Sequence, residues 1–114
     1  MFKSSISFAS ACAVLFISSL SPAQAAVDAA AAQALFKDND CTKCHAVDKA
    51  KKGPSLKKIA EKYKGKADGQ EKAIKNFTTG GMVKTADGKE VEHKVLDSKD
   101  LKAQQNLADW ILSQ

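Results

Sequence analysis

The sequence predicts an all-α domain of about four short helices with one long inserted loop. Two observations carry that reading. Apolar residues at helical spacing recur in separate segments, with glycine and proline between the segments. Only the stretch around Asp87-Gly88 departs from this pattern, reading MVK and KEVEH on either side of a hairpin dipeptide.

The first segment is expected to lie outside that domain. Lys3 gives a basic start, Ser5 to Leu20 is free of charge, and Ala23-Gln24-Ala25 follows Ser21-Pro22. These are the three parts of a secretory signal peptide. Residues 1–25 are therefore expected to be cleaved, leaving a domain over residues 26–114 exported to the periplasm. The apolar run is short and serine-rich for a membrane span, and an uncleaved anchor is the alternative. Cleavage also removes Cys12 and leaves two cysteines, Cys41 and Cys44. A disulfide across so short a loop would constrain the unfolded chain little, and a small exported domain buries little surface. Something else is expected to complete its core.

The helices follow in order. DAAAAQALFKD begins with Asp28 as N-cap and is rich in alanine, the best helix former, with Leu35 and Phe36 as buried anchors. The chain from Cys41 to Pro54 is irregular, and Gly53-Pro54 breaks any helix. Ser55 caps SLKKIAEKY, whose Leu56, Ile59, Ala60 and Tyr63 share a face. QEKAIKNF turns Ala73, Ile74 and Phe77 inward. Thr78 to Leu96 is the long loop, with a small β-hairpin as its expected local structure. SKDLKAQQNLADWILSQ closes the chain, with Ser98 as cap, Asp100 in the first turn, and Leu101, Leu107, Ala108, Trp110, Ile111 and Leu112 as apolar positions.

Charge narrows the function classes. All 18 basic residues are lysine, against 13 acids, for a net charge of +5. The excess is concentrated between Cys41 and Lys66, where the only acids are Asp48 and Glu61. A basic domain can bind nucleic acid, but export argues against it and no arginine is present for bidentate reading of bases. The lysines serve either as a solvated face or as a steering field for an acidic partner.

CTKCH at residues 41–45 is the most informative string. Two thiols three positions apart with histidine next match the attachment pattern of a c-type haem. Each thiol can add to one vinyl group on a porphyrin edge, and the next residue, His45, then points its imidazole at iron. The covalent haem would supply the missing apolar core. A thioredoxin-like pair would need a βαβ context that is not seen. Zinc would need four ligands, for which adjacent Cys44 and His45 fit poorly.

With CTKCH after an N-terminal helix, GPSL at 53–56, IKN at 74–76 and ADWILSQ at the end, the chain resembles the class I cytochromes c, of the small bacterial monohaem kind similar to cytochrome c-551 or c8. The resemblance implies the cytochrome c fold, with the first and last helices packed across each other and Leu35 and Phe36 near Leu107, Trp110 and Ile111. It implies that the Pro54 carbonyl accepts a hydrogen bond from His45, fixing the proximal ring and raising its basicity. It also implies a distal methionine flanked by prolines, and here this sequence departs from the family. Pro22 and Pro54 are the only prolines, and neither adjoins a methionine. His93 lies close to where the family places its methionine, whereas Met82 falls near the glycine-rich start of that loop. His93 is the preferred sixth ligand and Met82 the alternative, with an open position as the third outcome.

The expected function is a soluble one-electron carrier, not an enzyme, with one covalent haem c, monomeric and without stable membrane insertion after cleavage. Its expected partners are acidic surfaces of redox proteins such as membrane-bound or periplasmic cytochromes and oxidases, met through Lys43, Lys49, Lys51, Lys52, Lys57 and Lys58. A haem protein with a labile sixth position, binding small ligands or acting on peroxide, is the alternative.

Overall fold

The structure, a computed structural model, describes residues 26–114. The expected signal peptide, residues 1–25, lies outside the described residues. Four α-helices follow in order: α1 Ala29–Asp38, α2 Leu56–Tyr63, α3 Gly69–Thr79 and α4 Leu101–Leu112. A 3-10 turn at Cys41–Lys43 follows α1, and strands β1 Met82–Lys84 and β2 Glu90–Glu92 form an antiparallel hairpin between α3 and α4.

Local chemistry sets these limits. Asp28 caps α1 by accepting a hydrogen bond from the Ala31 N–H at 3.0 Å, and Ser55 caps α2 by accepting from Lys58 N–H at 3.1 Å. The start of α4 differs from expectation. Its N-cap is Asp100, whose carboxylate accepts from Lys102 N–H at 3.0 Å, while Ser98 Oγ accepts from the Asp100 N–H at 3.3 Å. Ser98 thus braces the cap without being the cap. In consequence Leu101 is the first helical residue and stands 58 % exposed, outside the core expected of it.

Helix α4 is the hub, packing against each of the other three helices. Ala32 and Phe36 of α1 meet Leu107, Trp110 and Ile111 of α4 in one buried cluster, which Leu56, Ala73, Phe77 and Leu96 complete. The Phe36 and Trp110 rings make an edge-to-face contact, centroids 5.6 Å apart at 65°. Polar bonds pin the same junctions. Asn106 exchanges two hydrogen bonds of 2.8 Å with the Asp28 backbone, fixing the start of α1 on α4. Gln70 donates to Asp109 at 2.7 Å, and Asn76 donates to the Tyr63 hydroxyl at 2.8 Å, joining α3 to α4 and to α2. Because α1 ends three residues before Cys41, this helix pair also sets where the CTKCH segment lies.

Candidate functional site

The CTKCH segment is shaped by a sharp exit from α1. Asp40 adopts a left-handed conformation at φ 59°, and the 3-10 turn begins at once. Cys44 N–H and His45 N–H both donate to the Cys41 carbonyl, at 3.2 and 3.0 Å. One turn of chain therefore gathers Cys41, Cys44 and His45 on a short arc. Both cysteines are half-buried free thiols. Burial pushes the Cys41 thiol above its ordinary pKa, so it is held protonated.

His45 is held from behind. Its Nδ1 donates to the Pro54 carbonyl at 2.7 Å. A carbonyl can only accept, so Nδ1 carries the proton and Nε2 presents its lone pair. Burial lowers the His45 pKa, the Pro54 bond opposes that, and nearby His93 lowers it further. The balance favours the neutral imidazole, the form that binds metals. The loop that brings Pro54 back is closed by Gly53 N–H on the Cys44 carbonyl at 2.8 Å and Leu56 N–H on the Ala46 carbonyl at 2.9 Å. A Cβ on Gly53 would stand 2.6 Å from His45 Cε1, so only glycine fits behind this ring.

The hairpin supplies the opposite side. Its register pairs Met82 with Glu92, Val83 with Val91 and Lys84 with Glu90. Directly paired residues share a face and neighbours along a strand alternate. Met82 and Glu92 therefore lie on one face, and His93 on the other with Val83 and Val91. His93 N–H extends the ladder to the Gly81 carbonyl at 2.8 Å. The imidazoles of His93 and His45 lie near each other, with ring centroids 6.2 Å apart and planes at 50°. His93 Nδ1 is buried without a hydrogen-bond partner. Met82 is 65 % exposed.

Two tethers bind the His93 segment to the CTKCH segment. Asn39, 4 % exposed, donates to the Leu35 carbonyl at 2.9 Å and accepts from the Asp97 N–H at 2.9 Å. Asp40 pairs with Lys94 at 3.0 Å and with Lys43 at 3.3 Å, and these lysines hold its carboxyl below the usual carboxylate range. A third link joins the hairpin tip to the proximal loop, where Ala86 N–H donates to the Lys52 carbonyl at 2.9 Å. Of the residues singled out from sequence, Cys41, Cys44, His45, Pro54 and His93 converge, and Met82 does not. Asn39, Asp40 and Lys94 went unrecognised, because no local pattern marks a side chain that bonds across the fold.

All six expected docking lysines are exposed, but they are not equivalent. Lys43 is paired with Asp40 and Lys57 with Asp48, and Lys51 donates to the Thr42 carbonyl. Lys49, Lys52 and Lys58 make no ion pair among the described residues.

Residues 29–114 match the family model for cytochrome c. The chain belongs to the cytochrome c family. It is similar to cytochrome c-551 of Allochromatium vinosum, 32 % identical over 78 residues that cover 68 % of this chain and 80 % of the relative. Cytochrome c-551 of Pseudomonas aeruginosa is 30 % identical over 82 residues, covering 72 % and 75 %. Among solved structures, the class 1 cytochrome MtoD from Sideroxydans lithotrophicus ES-1 superposes with a TM-score of 0.74 at 54 % identity, covering 77 % of this chain and 97 % of that one. Cytochrome c552 of Nitrosomonas europaea gives a TM-score of 0.56 at 31 % identity, covering 71 % and 96 %.

This cytochrome is accordingly an electron-carrier haem protein of mostly helical fold with one covalently bound haem c. The residues present fit that group: two accessible thiols, a neutral imidazole with its lone pair free, and a second imidazole nearby. Among the described residues no helix is long and apolar enough to cross a membrane.

Proposed function

We propose that this cytochrome is a periplasmic one-electron shuttle, not an enzyme, whose haem is held by thioethers from Cys41 and Cys44 and ligated by His45 and His93. When bound, the haem supplies a reversible one-electron couple. His45 is the proximal ligand, kept in the correct tautomer by the Pro54 carbonyl. Held by both imidazoles, the haem would leave no position on iron for a substrate, and it would exchange electrons through its exposed edge.

The observation that carries the distal assignment is the spacing of the two imidazoles. A metal–imidazole bond is about 2.0–2.1 Å, so two rings facing one ion from opposite sides have centres roughly 6 Å apart. His45 and His93 stand at 6.2 Å. Met82 lies on the other face of the hairpin, paired with Glu92, and bringing it inward would need a one-residue register slip that turns every strand side chain over. A second imidazole in place of a thioether stabilises the ferric state and lowers the potential.

The test is optical and EPR spectroscopy of the holoprotein beside His93→Ala and Met82→Ala. His93→Ala is expected to lose the six-coordinate low-spin signature, and Met82→Ala to keep it. Retention of the low-spin spectrum in His93→Ala, or a thioether-to-iron charge-transfer band in the oxidised wild type, sinks the assignment. Replacing His93 by methionine is expected to raise the potential by on the order of 0.1 V, within the about 0.8 V that axial ligands span.

The partners of this reading are acidic redox proteins, steered by the lysine field to a monomeric carrier. Lys49, Lys52 and Lys58, lacking ion-pair partners among the described residues, carry most of that field. Oxidation by ferricyanide, an anionic probe, is expected to slow as salt is added. Changing these three lysines to glutamine is expected to slow it about tenfold at low salt and to flatten the dependence. A wild-type rate indifferent to salt would remove the steering role.

A further inference from the structure

Apart from the space between the two imidazoles, the fold has a cleft of about 580 Å³ walled by α1, by the chain from Thr42 to Lys51 and by α4. Of the residues proposed to hold the haem, only His45 borders it; Cys41, Cys44 and His93 do not. Its size falls in the range of small-molecule sites, about 300–1,000 Å³. Phe36, Val47 and Trp110 are its apolar walls. Phe36 and Trp110 are buried and packed edge to face, and Val47 packs against the same core cluster. These walls are therefore fixed by the core and not by a mobile surface chain.

The charged residues of this cleft are of one sign. Lys37, Lys49 and Lys51 line it and, among the described residues, no carboxylate does. Lys37 stands in the last turn of α1, and the other two come from the loop before Gly53. Lys37 and Lys49 make no ion pair among the described residues. Lys51 donates to the carbonyl of Thr42, another wall residue, and an ammonium keeps further protons for a ligand. An inorganic anion would answer the lysines but leave the apolar walls wet. A neutral hydrocarbon would do the opposite. An acidic protein surface laid over the rim would meet the lysines without filling the concavity.

We propose that the cleft binds a small aromatic acid, a carboxylate or sulfonate, with its rings against Phe36, Val47 and Trp110 and its anionic group among Lys37, Lys49 and Lys51. Aromatic walls suit an aromatic body. Burial of that body supplies affinity, and the lysines select the charge. Because His45 borders the cleft, the bound anion lies on the proximal side and favours ferric iron, which carries one more positive charge than ferrous. Coupling is reciprocal: the oxidised protein binds the acid more tightly, and the acid lowers the potential. The site does not depend on which residue is the distal ligand.

The experiment is calorimetric titration of the holoprotein with naphthalenesulfonate, beside inorganic sulfate and neutral naphthol. Naphthalenesulfonate is expected to fill one site at least about tenfold more tightly than either control, since only it engages both walls and lysines. Lys37→Gln combined with Lys49→Gln is expected to weaken it about threefold to tenfold. Lys75→Gln combined with Lys102→Gln removes the same charge from residues outside the cleft, and should weaken it less than about twofold. The oxidised protein is expected to bind about twofold to fivefold more tightly than the reduced one, a fall in potential of about 20–40 mV at about 59 mV per tenfold. No uptake of naphthalenesulfonate, or sulfate bound as tightly, overturns the site and leaves these lysines as a field for acidic proteins. Equal losses in the two double variants overturn its location. Equal affinity for both oxidation states places the acid away from the haem and overturns the cleft as its site.

Discussion

Alanine at position 53 is expected to lower the stability of the holoprotein by about 1–3 kcal/mol, the usual range for one methyl group forced into a filled space. The added Cβ would stand 2.6 Å from His45 Cε1 and 3.0 Å from its Nδ1. The ring cannot swing away without losing the 2.7 Å bond to the Pro54 carbonyl. The backbone cannot retreat without stretching the 2.8 Å bond from Gly53 N–H to the Cys44 carbonyl. Either response moves the proximal imidazole, so the EPR g values are expected to shift together with a fall of roughly 5–20 °C in Tm for a domain of this size. Pro54→Ala is the informative contrast. The acceptor there is a backbone carbonyl, which alanine retains, so the spectrum should change far less. Equal spectral effects of the two substitutions would show that the proline ring, not the space behind His45, positions the ligand.

The same residues show what a sequence can and cannot disclose. CTKCH was legible because attachment chemistry needs those side chains at adjacent positions on one turn, and the Cys41–Lys43 turn is local. The hairpin was legible from Asp87-Gly88, since turn chemistry too is local, and the strands on either side are MVK and EVE. The proposed preference for His93 over Met82 was only partly legible. It depends on cross-strand register, and the pairing of Met82 with Glu92 decides which face each occupies. The cap of α4 was misplaced by two residues because Ser98 and Asp100 are both good capping types, and only the bond from Lys102 N–H distinguishes them. Asn39 escaped notice for a different reason. Its worth lies in joining the Leu35 carbonyl to the Asp97 N–H, a connection made by the fold and not by any neighbouring pattern.

Trp110→Ala is expected to cost about 3–5 kcal/mol, the range for truncating a buried aromatic side chain. Trp110 belongs to the buried cluster in which α1 and α4 meet, and its ring packs edge-to-face on Phe36 at 5.6 Å. Removal leaves a cavity between two helices that are also pinned by Asn106 at the start of α1, so they cannot close to fill it. Thermal unfolding of the holoprotein should then shift down by roughly 12–40 °C. Trp110→Phe keeps a ring against Phe36 and should recover most of the loss. His45, Pro54 and His93 are on other segments, so the low-spin spectrum at low temperature should survive in both variants. A Trp110→Ala protein that melts within a few degrees of wild type would mean that the covalent haem, and not the crossing of α1 on α4, holds the attachment turn in place. A variant that loses its low-spin spectrum before it melts would mean the reverse of independence: the packing of Phe36 on Trp110 reaches, through the two residues between α1 and Cys41, to the ligand itself.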